Sequence, residues 1–441
     1  MGRRVAVIGA GPSGLAAMKN FKDFGFNVVG FERGRGVGGN WRFDDEAGHS
    51  SVFEHTHIIS SKTLSQYEDY PFPDWVADYP SHQVLRNYFE GYAATFGLMP
   101  LIRFQTEIEQ LEPDRGGGWR LRWMDHGKAA HGEDSFDAVC VCNGHHHTPR
   151  YPDYPGEFNG EFLHSHEFKR AERFRGKRIL VIGGGNSACD VAVETARVSA
   201  RTVISWRRGY HLFPKFLFGQ PIDVLMKRFV HGPFWLQKKT LAYLLWLVQG
   251  SNRKIGLQDP DHEILATHPT VNSDLYSAIR HGDVQPKGDI DRFHGATVHF
   301  KDGSQEDFDT IIACTGYKIQ HAFIDPSLFD FSKGTPRLYM KMIPEDAPGL
   351  YFMGLFQPLG CIWPGAELQS KLAARHFAGL WSPKAPLSDL IDQEIANPDV
   401  KQLKSARHTI TVHDGNFRKR LKKELARSTP ASAHKPDQDA A

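Results

Sequence analysis

The stretch Val5-Ala6-Val7-Ile8-Gly9-Ala10-Gly11-Pro12-Ser13-Gly14 decides how the chain is read. Four apolar residues run into a glycine turn, and beyond it Leu15, Met18, Phe21 and Phe24 lie on one side of a helical-looking segment, so the pattern predicts strand, tight turn and helix. Gly9 permits the turn, Gly11 lets the backbone approach a pyrophosphate, and Gly14 lets the helix pack closely on the strand. Phosphate then sits at the helix N-terminus, where N–H groups and the dipole favour an anion. A second strand, predicted from Phe26 to Phe31, ends in Glu32, a carboxylate placed to accept from a ribose 2′-hydroxyl and to repel a 2′-phosphate. Such a site suits FAD or NAD and not NADP. A glycine fingerprint alone is a weak signal; strand, helix, second strand and acid in the right order make it specific.

The same pattern occurs twice. Phe136-Asp137-Ala138-Val139-Cys140-Val141-Cys142-Asn143-Gly144 resembles Phe308-Asp309-Thr310-Ile311-Ile312-Ala313-Cys314-Thr315-Gly316. Each run follows a hairpin-like alternation, Trp119, Leu121 and Trp123 in the first case, Val298 and Phe300 before the turn Lys301 to Ser304 in the second. Each also lies well downstream of a glycine fingerprint, the second being Gly183-Gly184-Gly185-Asn186-Ser187-Ala188 after the strand Arg178 to Ile182. Here the following strand, Thr202 to Trp206, leads to Arg207-Arg208 instead of an acid. Guanidinium groups at that place accommodate the 2′-phosphate of NADP through charge-assisted, bidentate hydrogen bonds.

The predicted fold class is therefore α/β, with two Rossmann-like dinucleotide-binding domains, the NADP domain inserted into the FAD domain. Residues 1–150 form the first part of the FAD domain, 151–320 the NADP domain with a helical insertion at about 210–290, and 321–426 the rest of the FAD domain with C-terminal helices. The candidate completing strand is Leu350 to Gly354, followed by a helix from about Glu367 to Leu380. Residues 427–441, rich in Ser, Pro, Ala and Asp, read as a disordered tail. The basic run Arg418 to Lys423 reads as a solvated helix face.

Composition bounds the function. A net charge of +2 over 441 residues gives no case for nucleic acid as a partner. The five cysteines fit buried thiols in a reducing compartment better than a disulfide framework. The N-terminal residues enter the first strand directly, without the apolar core of a secretion signal, and the longest apolar run, Leu241 to Val248, is too short to span a bilayer. A cytoplasmic protein acting on a small molecule is expected, with no transmembrane segment and the oligomeric state open, a homodimer included.

Two redox carriers in one chain imply hydride transfer from nicotinamide to flavin, and what takes the electrons next defines the enzyme. A disulfide reductase needs a redox-active cysteine pair, but Cys140 and Cys142 alternate on a core strand. His145-His146-His147 is the one dense histidine cluster; consecutive side chains point different ways, so no metal is expected. Oxygen is left as the acceptor.

On these residues the chain resembles the flavin-containing monooxygenases, class B flavoprotein enzymes related to the Baeyer–Villiger monooxygenases. The match is carried by Gly9 to Gly14, Gly38-Gly39-Asn40-Trp41, Ser60-Ser61-Lys62, the linker signature Phe158-x-Gly160-x-x-x-His164-x-x-x-Phe168, Gly183 to Ala188, Thr315-Gly316-Tyr317, and Leu359-Gly360 to Gln369. It runs to about Gly379. The last signature position is typically tryptophan in Baeyer–Villiger enzymes and tyrosine or phenylalanine in the flavin-containing group; here it is Phe168.

The resemblance implies that NADPH reduces FAD, that O2 adds to the flavin as a C4a-hydroperoxide, and that one oxygen atom passes to a soft nitrogen or sulfur of a small molecule. The chemistry belongs to the cofactor, while the protein orients it and excludes water. Implied cofactor-binding residues are Gly9, Gly11, Pro12, Ser13, Gly14, Glu32, Gly39, Asn40 and Trp41 for FAD, and Gly183, Gly185, Asn186, Ser187, Arg207 and Arg208 for NADPH, together with Thr315, Gly316 and Gln369. Trp41 either packs on the isoalloxazine or belongs to the core, and Gln369 either nears the flavin or is an exposed helical glutamine. His164 is implied as a hinge residue. One departure matters: where the family commonly has an asparagine before Ser-Ser-Lys, this chain has Ile59. A neighbouring polar group (Ser60, Ser61, Thr63, His57 or Gln66, of which Ser60, Ser61 and His57 are the candidates for catalytic roles) then replaces its amide, or the enzyme leaks hydrogen peroxide. Ketone oxidation and an uncoupled NADPH oxidase are the alternatives.

Overall fold

The computed structural model describes residues 2–43, 48–229, 234–332, 334, 336–400 and 409–429. The chain divides into two compact units, Met1–Ser50 with Lys62–His145 and Ile319–Ala441, and Ser51–Ser61 with His146–Lys318. The second is inserted into the first. Residues 51–61, expected within the first, pack with the second.

The first unit is built on a five-stranded parallel sheet in the order Leu350–Phe352, Ala138–Val141, Arg4–Ile8, Asn27–Phe31, Ile102–Arg103. Val5 to Ile8 are all buried, as a parallel strand covered on both faces requires. The helix Pro12–Asp23 packs Leu15, Met18 and Phe21 inward and lies against the helix Trp363–Phe377. On the opposite face Ala6, Ile8, Phe31, Val139 and Phe352 join one core with Leu111, Trp119, Leu121 and Trp123 of an antiparallel meander. That meander comprises Thr106–Pro113, Trp119–Asp125 and Ala130–Phe136.

The second unit repeats the plan. Its parallel sheet runs Val284–Lys287, Arg201–Ser205, Arg178–Ile182, Thr310–Ala313, Glu161–His164, and a meander of Ile290–His294, Thr297–Phe300 and Gln305–Asp307 precedes Thr310–Ala313. The repeated Phe-Asp pair has a physical cause in both units. Phe136 and Phe308 are buried, while the carboxylates of Asp137 and Asp309 accept from the backbone N–H groups of Arg4 and Arg178 at 2.6 and 2.7 Å. Each pair thereby ties the start of the strand after the meander to the start of the glycine-loop strand.

Three expectations change. The completing helix begins at Trp363, a turn before Glu367, because Pro364 is tolerated in a first turn whose N–H groups have no helical partner. The insertion is only partly helical, with helices Ile222–Phe229 and Phe234–Gln249 beside the short pairings Leu212–Phe213 with Thr270–Val271 and Phe216–Leu217 with Gln220–Pro221. It also ends sooner: Asn272 Oδ1 accepts from the N–H groups of Asp274 and Leu275, starting the helix Asp274–His281, which with Val284–Lys287 belongs to the parallel-sheet unit itself. The basic run lies on the helix Asp414–Ala426 and is largely paired, Arg418 with Asp414, Arg420 with Glu394 and Asp399, Lys422 with Glu68. Of the expected tail, 430–441 lie outside the described residues. No helix among the described residues is long and apolar enough to cross a membrane.

Candidate functional site

In the first unit the three glycines differ in what constrains them. Gly9 takes φ +99°, and a Cβ there would lie 2.8 Å from the Cys142 carbonyl oxygen. At Gly14 a Cβ would stand 1.9 Å from the carbonyl oxygen of Gly9, so helix and strand are in backbone contact. Gly11 instead faces Gly39, whose own Cβ would fall 2.9 Å from the Gly11 Cα. Two backbone loops meet there, joined by the Gly38 N–H donating to the Ala10 carbonyl at 3.0 Å. Gly11 caps the helix Pro12–Asp23 with no side-chain acceptor, and Pro12 in its first turn has no N–H; the N–H groups of Ser13 and Gly14 lack helical acceptors, which leaves a place for an anion.

Glu32 follows the second strand, and its carboxylate accepts from the N–H groups of Ala10 and Gly34, each at 2.7 Å. Around this loop, Ser50 donates to the Asn40 carbonyl at 2.7 Å and Tyr67 donates to the Pro12 carbonyl at 2.7 Å. Trp41, half-buried, meets Trp363 edge-on at 5.9 Å between ring centroids. Gln369 is no exposed glutamine: it is fully buried, accepts from the Gly354 N–H at 3.0 Å and donates to the Met340 carbonyl at 2.9 Å. Its amide props the Gly354 turn, where a Cβ would come within 2.3 Å of the Ser13 hydroxyl, and so it shapes the glycine loop from behind.

In the second unit Gly183 repeats the role of Gly9, with φ +135° and a Cβ that would lie 2.5 Å from the Cys314 carbonyl. At Gly184 a Cβ would run into the Tyr210 ring at 2.2 Å, whereas at Gly185 nothing lies within 4 Å. That open space lies before the helix Asn186–Ala196, whose first N–H groups have no side-chain cap. The side chain of Asn186 is committed to the insertion, donating to the Pro269 carbonyl at 3.0 Å and accepting from the Val271 N–H at 2.7 Å, while Ser187 is exposed in the first turn. Arg207 is exposed and Arg208 half-buried, and among the described residues no carboxylate lies within 4.0 Å of either guanidinium. The Nε of Arg208 is buried without a partner. The Arg208 guanidinium lies 5.7 Å from the Tyr210 ring centroid.

The crossing between the parts of the chain is held by a residue that the sequence did not single out. Arg150 donates through its guanidinium to the Thr315 carbonyl, its N–H donates to the Gly316 carbonyl, and its own carbonyl accepts from the Thr315 hydroxyl. The side chain of Thr315 therefore serves this clasp. In the linker signature, a Cβ at Gly160 would lie 2.7 Å from the Asp309 carbonyl, and Phe168 is buried against Phe53 and Phe174. His164 is fully buried, and burial pushes its pKa down to about 4.

The candidate catalytic residues separate. Ser60 and Ser61 are buried, and the Ser61 hydroxyl has no hydrogen-bond partner. His57 is exposed and bonds back to the His55 carbonyl at 2.9 Å. No group of three or more His, Cys, Asp or Glu side chains among the described residues is arranged to hold a metal.

Two parallel-sheet units, each with a glycine turn before a helix, one followed by an acid and the other by paired arginines, define a two-dinucleotide flavoprotein. The chain belongs to the flavin-binding monooxygenase-like family, whose description matches residues 2–424. It is 37% identical over 433 residues to flavin-containing monooxygenase 5 of Oryctolagus cuniculus, covering 93% of this chain and 80% of that one. It is 35% identical over 421 residues to dimethylaniline monooxygenase [N-oxide-forming] 2 of Cavia porcellus, with 89% and 77% covered. Its fold is shared with S-allyl-L-cysteine S-oxygenase from Allium sativum, at a TM-score of 0.70, 24% identity, and 97% and 89% coverage. The protein is a flavin-dependent monooxygenase, with FAD and NADP(H) as its cofactors.

Proposed function

We propose that the enzyme uses NADPH and O2 to place one oxygen atom on a soft nucleophilic nitrogen or sulfur of a small molecule. The observation that carries the nucleotide assignment is Arg208, whose buried, unpartnered Nε stands beside Arg207 at the end of the second glycine motif. Glu32 occupies the matching place in the first unit. Bound flavin supplies the oxygen-activating chemistry; the chain's own groups bind, orient and exclude water. The Gly9–Gly14 loop, Glu32 and Gly39–Trp41 hold FAD, with Gln369 supporting that loop, and Gly183–Ser187, Arg207 and Arg208 hold NADPH. Ser60 and Ser61, buried polar groups next to Ile59, take the part of the missing asparagine amide, and exposed His57 stands aside.

Oxygenation at nitrogen is supported by the N-oxide-forming relative, and a sulfide is a nucleophile of the same soft class. Ile59 favours one second reading, partial loss of reducing equivalents as hydrogen peroxide, because an alkyl side chain offers no hydrogen bond where the family has an amide. Five free, buried thiols fit a reducing compartment, and we place the protein in the cytoplasm on that ground. The test is NADPH consumption with and without a tertiary amine or a sulfide. Addition should raise the rate and yield the oxide; hydrogen peroxide equal to the NADPH consumed, with no oxide, would leave an oxidase.

A further inference from the structure

The Ser51–Ser61 segment is fastened to its unit at both ends. Near the start, the Glu54 N–H donates to the Lys169 carbonyl at 2.9 Å, Phe53 meets Phe168 edge-on at 5.4 Å, and His55 Nδ1 lies 2.7 Å from the Glu194 carboxylate. At the end, the Ser61 N–H donates to Asp223 Oδ2 at 2.7 Å. Asp223 is in the first turn of the insertion helix Ile222–Phe229, and its Oδ1 accepts from the Val224 N–H at 2.9 Å. Both carboxylate oxygens are thus engaged, so the acceptor is oriented as well as charged.

The same insertion reaches the second glycine loop. Thr270 donates to the Gly184 carbonyl at 3.1 Å, and the Val271 N–H donates to Asn186 Oδ1 at 2.7 Å. Thr270–Val271 pairs with Leu212–Phe213, from which the chain runs to Lys215, whose carbonyl accepts from the Ile222 N–H at 3.0 Å. Hydrogen bonds and short stretches of chain therefore lead from the nucleotide loop through the insertion to the Ser61 amide. At its far end stands the Ser61 hydroxyl, fully buried with no partner. Leaving a hydroxyl in that state is costly, and the cost is recovered when a ligand group meets it.

We propose that Asp223 is a positioning residue of the oxygenation site: by fixing the Ser61 amide it presets the Ser60 and Ser61 hydroxyls for the NADP-bound enzyme. This rests on the reading that those serines serve oxygen transfer. The insertion then acts as a brace between nucleotide loop and serine pair.

The test uses FAD-loaded Asp223→Ala, Asp223→Asn, Ser61→Ala and wild-type enzyme. Hydrogen exchange across residues 57–64, NADP+ affinity by titration, and hydrogen peroxide per NADPH are measured. In Asp223→Ala the Ser61 amide should exchange on the order of tenfold faster. The NADP+ dissociation constant and the peroxide share should rise severalfold while flavin content stays at the wild-type level. Asp223→Asn, which keeps one carbonyl oxygen for two N–H donors, should fall between Asp223→Ala and wild type in all three. Ser61→Ala should keep slow exchange yet bind NADP+ more weakly. Unchanged exchange in Asp223→Ala, or faster exchange with NADP+ affinity and peroxide share unaltered, overturns the proposal; if that variant does not fold, unaltered NADP+ affinity in Ser61→Ala does so. A wild-type enzyme that forms only peroxide defeats the proposed function instead, and exchange and NADP+ affinity still decide the role of Asp223.

Discussion

The Oε2 of Glu32 lies 2.7 Å from the backbone nitrogen of Ala10, inside the glycine loop that Glu32 was expected to serve only through ribose. One carboxylate shapes the loop through two backbone N–H groups, and the proposed function gives it the ribose as well. Glu32→Ala strands a buried N–H at a cost of about 1–3 kcal/mol and removes the ribose acceptor. The variant should purify with less than about half the wild-type flavin, whereas Glu32→Gln, which keeps an acceptor oxygen, should retain more. The flavin-to-protein absorbance ratio reads this directly, and a fully yellow Glu32→Ala would remove Glu32 from the flavin site.

Arg208 should separate the two nicotinamide cofactors. Losing a charge-assisted bond to phosphate costs about 1.5–3 kcal/mol, so Arg208→Ala should raise KM for NADPH roughly ten- to hundredfold. KM for NADH should stay within about twofold, because no 2′-phosphate is involved. Equal losses with both would mean that the phosphate lies elsewhere.

Two glycine-to-alanine changes should fail in different ways. At Gly14 the new methyl would stand 1.9 Å from a backbone oxygen, so Gly14→Ala should give little soluble protein. At Gly185, with φ −85° and nothing within 4 Å, Gly185→Ala should melt within about 0.5 kcal/mol of wild type, keep its flavin and lose NADPH binding. A Gly185→Ala enzyme with unchanged NADPH affinity would show that the space beside it does not receive phosphate.

The parts of this fold that depend on short-range pattern were legible in the sequence. Both glycine turns and the Phe-Asp repeat were read from residues within one strand–turn–helix or at one strand start, where local chemistry decides the conformation. What the pattern could not carry is partnership across long separations. Gln369 on a helix carries no mark of the Gly354 and Met340 backbone it secures, and Arg150 lies in a loop with nothing to announce its clasp on Thr315. The insertion was overextended although its aromatic-rich stretch ends at Trp246, and Asn272 as a helix-starting acceptor was visible in principle. The placement of 51–61 with the second unit depends on Phe168, Glu194 and Asp223, all more than a hundred residues away.

His164 gives the stability a pH dependence. Burial lowers its pKa to about 4 from 6.5, so between these values the unfolded chain binds a proton that the folded protein refuses. Its contribution is therefore fully present above pH 6.5 and is lost as the pH falls towards 4, by at most about 3 kcal/mol. Chemical denaturation across that range should show a flatter slope in His164→Gln than in wild type; identical slopes would mean that the imidazole titrates normally.

The proposed reaction takes its oxygen atom from O2 and its electrons from NADPH for oxygenation of a soft heteroatom. Its most direct test is a single incubation of the yellow enzyme with NADPH, a dimethylaniline or an aryl methyl sulfide, and oxygen-18 gas, with mass spectrometry of the product and parallel assay of hydrogen peroxide. The expected product is an N-oxide or sulfoxide carrying one labelled oxygen, with peroxide well below the NADPH consumed. Peroxide matching the NADPH, with no labelled oxide, would contradict it.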